Sequence, residues 1–318
     1  MMKRGIIYTY VAFVILALIT VLVFFKTSTP YTTRQEAHEY RVSSMISFIN
    51  DIHDDLQRSM YISGYRAFIA LEDQVARSGQ FLNSTNESFL EAFYLGTING
   101  TSTALMQNAS LSDYEAKVEQ LASQVNINLS LTPKQVNMLQ VDPWDVMISI
   151  VYIINISDQF GVAQWNYEKE FNVTVPILDL KDPLYSVYAK GKFIVIIKQF
   201  TETPFVNLSN NDTTNLRLFL NGSYYHENPD APSYLMRFEG NISSSPFGIE
   251  SFVYLPSLDE SLISRDYSIA DYLYFTNTST ANDRCQVQNM HYTDDWFRID
   301  QGHFAYYGMT GLNYTVCT

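Results

Sequence analysis

The chain has 318 residues, 33 acidic against 20 basic, a net charge of −13, 47% hydrophobic and 14% aromatic content, and two cysteines. It is too apolar and aromatic for a disordered chain and too poor in cysteine for a disulfide scaffold. The acidic balance argues against sequence-independent nucleic-acid binding, which needs a basic face.

The first predicted element is the run Ile6 to Phe25, IIYTYVAFVILALITVLVFF, without charge, Pro or Gly. As a helix it would be about 30 Å long, the thickness of a bilayer core. Lys3 and Arg4 precede it, Lys26 follows it, and Tyr8 and Tyr10 lie near one end. The positive-inside rule then predicts a cytoplasmic segment 1–5, a transmembrane anchor 6–25 in contact with membrane lipid, and an extracellular remainder. Phe24 to Thr29 offers no small-residue cleavage site, so the run reads as a retained anchor of a single-pass cell-membrane protein.

Residues 26–33 form a short polar linker in which Pro30 should end or kink the helix. Thr33-Arg34-Gln35-Glu36 matches a capping box, and a helix is predicted from residue 34 to Ser78 with Gly79 as its stop. Met45, Ile49, Ile52, Leu56, Met60, Ser63, Ala67, Leu71 and Val75 form its apolar stripe. Gly64 inside it suggests a close neighbour. A helix over 88–95 closed by Gly96 follows, then one opened by the capping box Ser112-Asp113-Tyr114-Glu115.

After about Asn128 the period changes to two. Strands are predicted at 144–154, 170–177, 184–188, 193–200, 216–220, 234–239, 249–255 and 271–275, with hairpin turns at Lys190-Gly191 and Asn221-Gly222. The run Phe193 to Ile197 has no polar face and reads as a central strand. The expected fold class is α+β, helices first and a mainly antiparallel β-sheet afterwards. The polar stretch 201–214 divides it into a segment 34–200, helices plus a first β-rich half, and a second β-rich half 201–318.

Of 22 asparagines, 13 open an N-x-S/T triplet: Asn83, Asn86, Asn99, Asn108, Asn128, Asn155, Asn172, Asn207, Asn211, Asn221, Asn241, Asn277 and Asn313. Composition alone would give roughly four, so this density points to a glycoprotein. Asn155 follows a strongly apolar run and is set aside as too buried; the other twelve are the predicted glycosylation sites. Cys285 and Cys317 suit the same compartment as one disulfide.

No catalytic motif, cofactor fingerprint or paired metal-ligand spacing is present, so no catalytic, cofactor-binding or metal residue is assigned and the chain reads as a non-enzyme. Asp51, His53 and Asp55 share a helix face that reads as solvated. His226 to Asp230 and Thr293 to Asp295 read as polar turns.

Lys3-Arg4-Gly5 before an apolar run, feeding a long helix and a β-rich head, resembles the class III signal and architecture of type IV pilins and their archaeal relatives. The resemblance covers the first 78 residues and implies processing after Gly5. Tyr10 stands where many pilins carry Glu, and Thr29-Pro30 interrupts the expected helix. The functional expectation is a membrane-anchored, glycosylated surface protein with a structural, adhesive or interaction role and protein partners or self-association. The alternatives are a filament or secretion subunit and, less favoured, an extracellular ligand-binding protein or enzyme.

Overall fold

The structure is a computed structural model and describes residues 3–259, 267–275, 284–287, 296–300, 303–310 and 314–317. It is α+β. The chain divides into two compact units: Met1–Leu56 with Glu119–Leu131 and Ile154–Tyr167, and Gln57–Val118 with Thr132–Ile153 and Glu168–Thr318.

Helix α1 spans Lys3–Ser78 without a break. It passes through residues 26–33, although Pro30 has no N–H for the ladder. The expected membrane anchor is corrected. Among the described residues no helix is long and apolar enough to cross a membrane. The apolar run is no free-standing segment. It is the opening of a 76-residue helix whose later turns carry many charged residues. The single-pass location with a cytoplasmic N-terminus falls with the anchor.

The stripe is borne out. Met45, Ile52, Leu56, Met60, Ser63, Ala67, Leu71 and Val75 are all buried, while Ile49 is half-buried. Gly79 ends α1 at φ +63°, its N–H donating to the Val75 carbonyl. A Cβ on Gly64 would lie 2.4 Å from Ile148 Cδ1, so the missing side chain is what lets the helix approach this close.

Helix α2 (Thr85–Leu95) starts on Ser84, whose hydroxyl accepts the Glu87 N–H, and ends on left-handed Gly96. The short pair β1 (Thr97–Ile98) and β2 (Thr101–Ser102) follows. Helix α3 (Leu111–Gln124) is capped two residues earlier than the predicted box placed the cap, at Ser110 and not Ser112. Ser110 Oγ accepts the Asp113 N–H and Asp113 Oδ2 accepts the Ser110 N–H, so the reciprocal cap is real but shifted. Glu115 is instead buried, accepting from the Tyr94 and Tyr152 hydroxyls.

Strands β3 (Ile127–Gln140), β4 (Asp145–Asp158) and β5 (Gln164–Pro176) form a sheet in that order. The short links allow only antiparallel hairpins. Along β4 the residues Val146, Ile148, Ile150, Tyr152, Ile154 and Ile156 are buried, alternating with less buried neighbours.

Beyond β5 the expected β-rich half is corrected. Four predicted strands are short helices: α4 (Pro183–Tyr188), α5 (Thr214–Asn221), α6 (Tyr234–Arg237) and α7 (Asp271–Phe275). Asp182 caps α4 and Pro183 opens it, a helix start and not a strand start. Asn221-Gly222 closes α5, the Gly222 N–H donating to Leu218. Lys190 and Gly191 do take positive φ, 49° and 70°, but close α4 instead of a hairpin.

The run 193–200 is not a central strand. Ile194 and Ile196 are exposed while Val195 and Ile197 are buried, and it pairs locally with Asp179–Asp182. Strand β6 (His226–Glu227) pairs antiparallel with β7 (Ile249–Glu250). Strands β8 (Arg284–Val287), β9 (Ile299–Asp300) and β10 (Tyr314–Cys317) form a small sheet in the order β10-β8-β9. The second unit also holds an aromatic core in which Phe200, Phe205, Phe219, Phe252, Phe297 and Tyr307 pack together.

Candidate functional site

The densest chemistry in the second unit is a buried charged network around Arg237. The residue sits in the apolar sequence Tyr234-Leu-Met-Arg-Phe238 and is 1% exposed. Its Nη1 donates to Asp182 Oδ2 at 2.6 Å and Asp271 Oδ2 at 2.7 Å, and its Nη2 donates to the Ile249 carbonyl. The guanidinium lies 5.6 Å from the Tyr225 ring centroid, and the Tyr225 hydroxyl donates to Asp182 Oδ2 at 2.5 Å. Each acid is also tied to its own helix start. Asp182 Oδ1 accepts the Leu184 N–H, and Asp271 Oδ1 accepts the Tyr272 N–H.

Two carboxylates on one guanidinium leave an excess negative charge in a dry site. Burial raises the Asp271 carboxyl above the ordinary range, opposed by Arg237 and assisted by Asp182. Burial disfavours the Arg237 charge, but Asp182 and Asp271 more than offset this and push its pKa up. Each carboxylate therefore helps fasten a separate short helix, and Arg237 joins them.

Two further carboxyls extend the buried chemistry. Glu72 of α1 accepts from the Lys181 N–H at 2.9 Å and the Tyr234 hydroxyl at 3.0 Å. Burial lifts its pKa to about 8, so it holds a proton at neutral pH. Glu250 accepts from the Tyr307 hydroxyl at 2.6 Å and lies 3.0 Å from His303 Nε2, which also meets the Tyr272 hydroxyl. Burial raises the Glu250 carboxyl, but His303 outweighs it and holds the group low. These groups are spent on one another, an arrangement that fastens a fold. Tyr152, Tyr225, Tyr234 and Tyr307 are buried, with their hydroxyls on carboxyl groups. Arg237, Asp271 and Glu72 were missed, although a lone charge inside an apolar run was the available signal.

The predicted modification sites are differently placed. Asn83, Asn86, Asn99, Asn108, Asn128, Asn172, Asn207, Asn211, Asn221 and Asn241 are all exposed. Asn155 is half-buried. Asn99, Asn108 and Asn211 have φ of 52°, 55° and 55°, the left-handed region that asparagine tolerates in turns. In the triplet at Asn207, Oδ1 accepts from the Ser209 N–H and hydroxyl. Asn277 and Asn313 lie outside the described residues. Gly5 lies within α1.

Cys317 stands opposite Cys285 in the β8–β10 ladder; their side chains lie outside the described ones. His53 Nε2 meets the Tyr167 hydroxyl at 2.9 Å, while Asp51 and Asp55 are exposed. Asp230 follows the turn in which Asn228 Oδ1 accepts its N–H. Thr293 to Asp295 lie outside the described residues. Among the described residues no group of three or more His, Cys, Asp and Glu is placed to hold a metal.

One cavity of about 580 Å³ opens between α1, the loop before α3, and α3 itself, lined by residues that include Arg66, Asn108, Asp113 and Lys117. Comparison with family models, curated proteins and solved structures gives no match.

Proposed function

We propose that this chain is an N-glycosylated structural or adhesive protein that assembles with further copies through the apolar start of α1, as a pilin-like subunit would. The observation that carries this reading is the state of residues 9–24, every one of which is exposed. Phe13 is 75% and Phe24 71% accessible, and Leu16 and Leu22 are each 64% accessible on different sides of the helix. A helix apolar all round needs neighbours all round. One flat docking surface would leave half of it wet, whereas a bundle of like helices covers it. The unbroken passage of α1 through Pro30 supports the same reading, because a continuous helix can carry a bundle beyond the apolar run. The exposed triplet asparagines support glycosylation.

Sedimentation and electron microscopy of the full chain test the assembly. Oligomers or filaments are expected, and Leu16→Glu with Leu22→Glu should return the chain to monomers. A wild-type chain that sediments as a monomer at every concentration overturns the reading. Mass spectrometry of the mature N-terminus tests the pilin likeness separately, Ile6 as first residue being the expected result.

A further inference from the structure

The cavity between α1 and α3 is a site that the assembly reading does not use. Two cations line it, Arg66 half-buried on α1 and Lys117 exposed on α3. Neither makes an ion pair or a hydrogen bond among the described residues. Lys117 stands one helical turn beyond Asp113, the spacing at which an ion pair would form, yet no such pair is present. In a chain of net charge −13, two cations without partners at one cavity are a specific feature.

The rest of the lining narrows the ligand. Asp113 has one oxygen on the Ser110 N–H, and its other oxygen accepts nothing among the described residues. That oxygen can accept from a hydroxyl and would repel a multiply charged ligand such as a polyphosphate. Asn108 adds an amide, and Tyr114 and Ile62 add apolar surface against which a sugar ring can lie. A cavity of about 580 Å³ is far larger than a lone anion needs and is within the usual range for small-molecule sites.

We infer that this cavity binds an acidic saccharide, its carboxylate held by Arg66 and Lys117 and its ring hydroxyls by Asp113 and Asn108. The inference deepens the adhesive reading by naming what is adhered to. It can fail independently, because binding of a soluble saccharide is read without any assembly.

Calorimetric titration of the full chain with cellobiouronic acid and with cellobiose is the test, since the two disaccharides differ by one carboxylate. Cellobiouronic acid should bind at least about tenfold more tightly than cellobiose. Arg66→Gln and Lys117→Gln should each remove most of that preference while leaving the melting temperature unchanged. Because Asn108 lines the cavity and also opens an N-x-S/T triplet, where a glycan would cover the amide, the titration is run on wild type and on Asn108→Gln. Equal affinity for the two disaccharides, binding of neither in both forms, or displacement of cellobiouronic acid by equimolar inorganic phosphate would each overturn the inference.

Discussion

Gly64 shows how one missing side chain sets a distance. An added Cβ would meet Ile148 Cδ1 at 2.4 Å and Val175 Cγ2 at 3.4 Å. Alanine improves helix propensity by about 1 kcal/mol, whereas overpacking a closed core costs about 1–3 kcal/mol. Ile148 and Val175 are fully buried and have little room to retreat, so the second effect wins. Gly64→Ala should destabilise by about 1 kcal/mol in denaturant titration. Ile148→Val removes the clashing atom, so the double variant should be more stable than the sum of the single changes. Strict additivity would show that the two residues do not meet.

Glu72 gives a pH signature at the same scale. An unfolded glutamate titrates near 4.5, while the buried one titrates near 8. Between those values the folded chain keeps a proton that the unfolded chain has released. The stabilisation is therefore complete below about 4.5 and is lost as pH rises towards 8. Glu72→Gln keeps the acceptor oxygen for Lys181 and Tyr234 and has no proton to lose. Its melting temperature should fall less than the wild type's between pH 5 and 8, and parallel curves would refute the assignment. This site was illegible in the sequence for a definable reason. The α1 stripe identifies buried positions, but which charged residue beside it lies in a dry environment depends on Tyr234, 162 residues away.

At the scale of elements, legibility followed length. Helix α1 and strand β4 each repeat their period often enough for chance to be excluded, and the buried faces fell where the repeats put them. Helices α4 to α7 have only four to eight residues each. An apolar run that short fits a buried strand or a buried helical turn equally, and only its ends can decide. Asp182-Pro183 was such an end, with a side-chain acceptor followed by a residue that needs no N–H. Caps carry energy as well as information. Ser84 Oγ accepts the Glu87 N–H at 3.3 Å, and Ser84→Ala should cost about 1 kcal/mol. The triplet at Asn83 survives this substitution because its hydroxyl belongs to Thr85. Unchanged stability in thermal melts would show that α2 does not depend on this cap.

At the scale of the whole molecule, the sequence separated an apolar helical start from a remainder rich in N-x-S/T triplets but could not say what the start packs against. A run of apolar residues specifies that water must be excluded and leaves the excluding partner open. The cysteine pair is better specified, because two independent observations bear on it. The chain has only these two cysteines, and the backbone register puts Cys317 opposite Cys285. Directly opposed residues in an antiparallel ladder have Cα atoms about 4.5–5.5 Å apart, within the range a disulfide spans. Such a bridge would fix the end of β10 to β8 and close a loop of about 33 residues, adding roughly 3–4 kcal/mol through the restricted unfolded chain. The full chain should therefore be lighter by two hydrogens before reduction than after it. Cys317→Ser should lower the midpoint of unfolding and abolish the effect of reductant on it. A wild-type chain whose thiols react with an alkylating reagent under denaturing, non-reducing conditions would show that the register is held by backbone pairing alone.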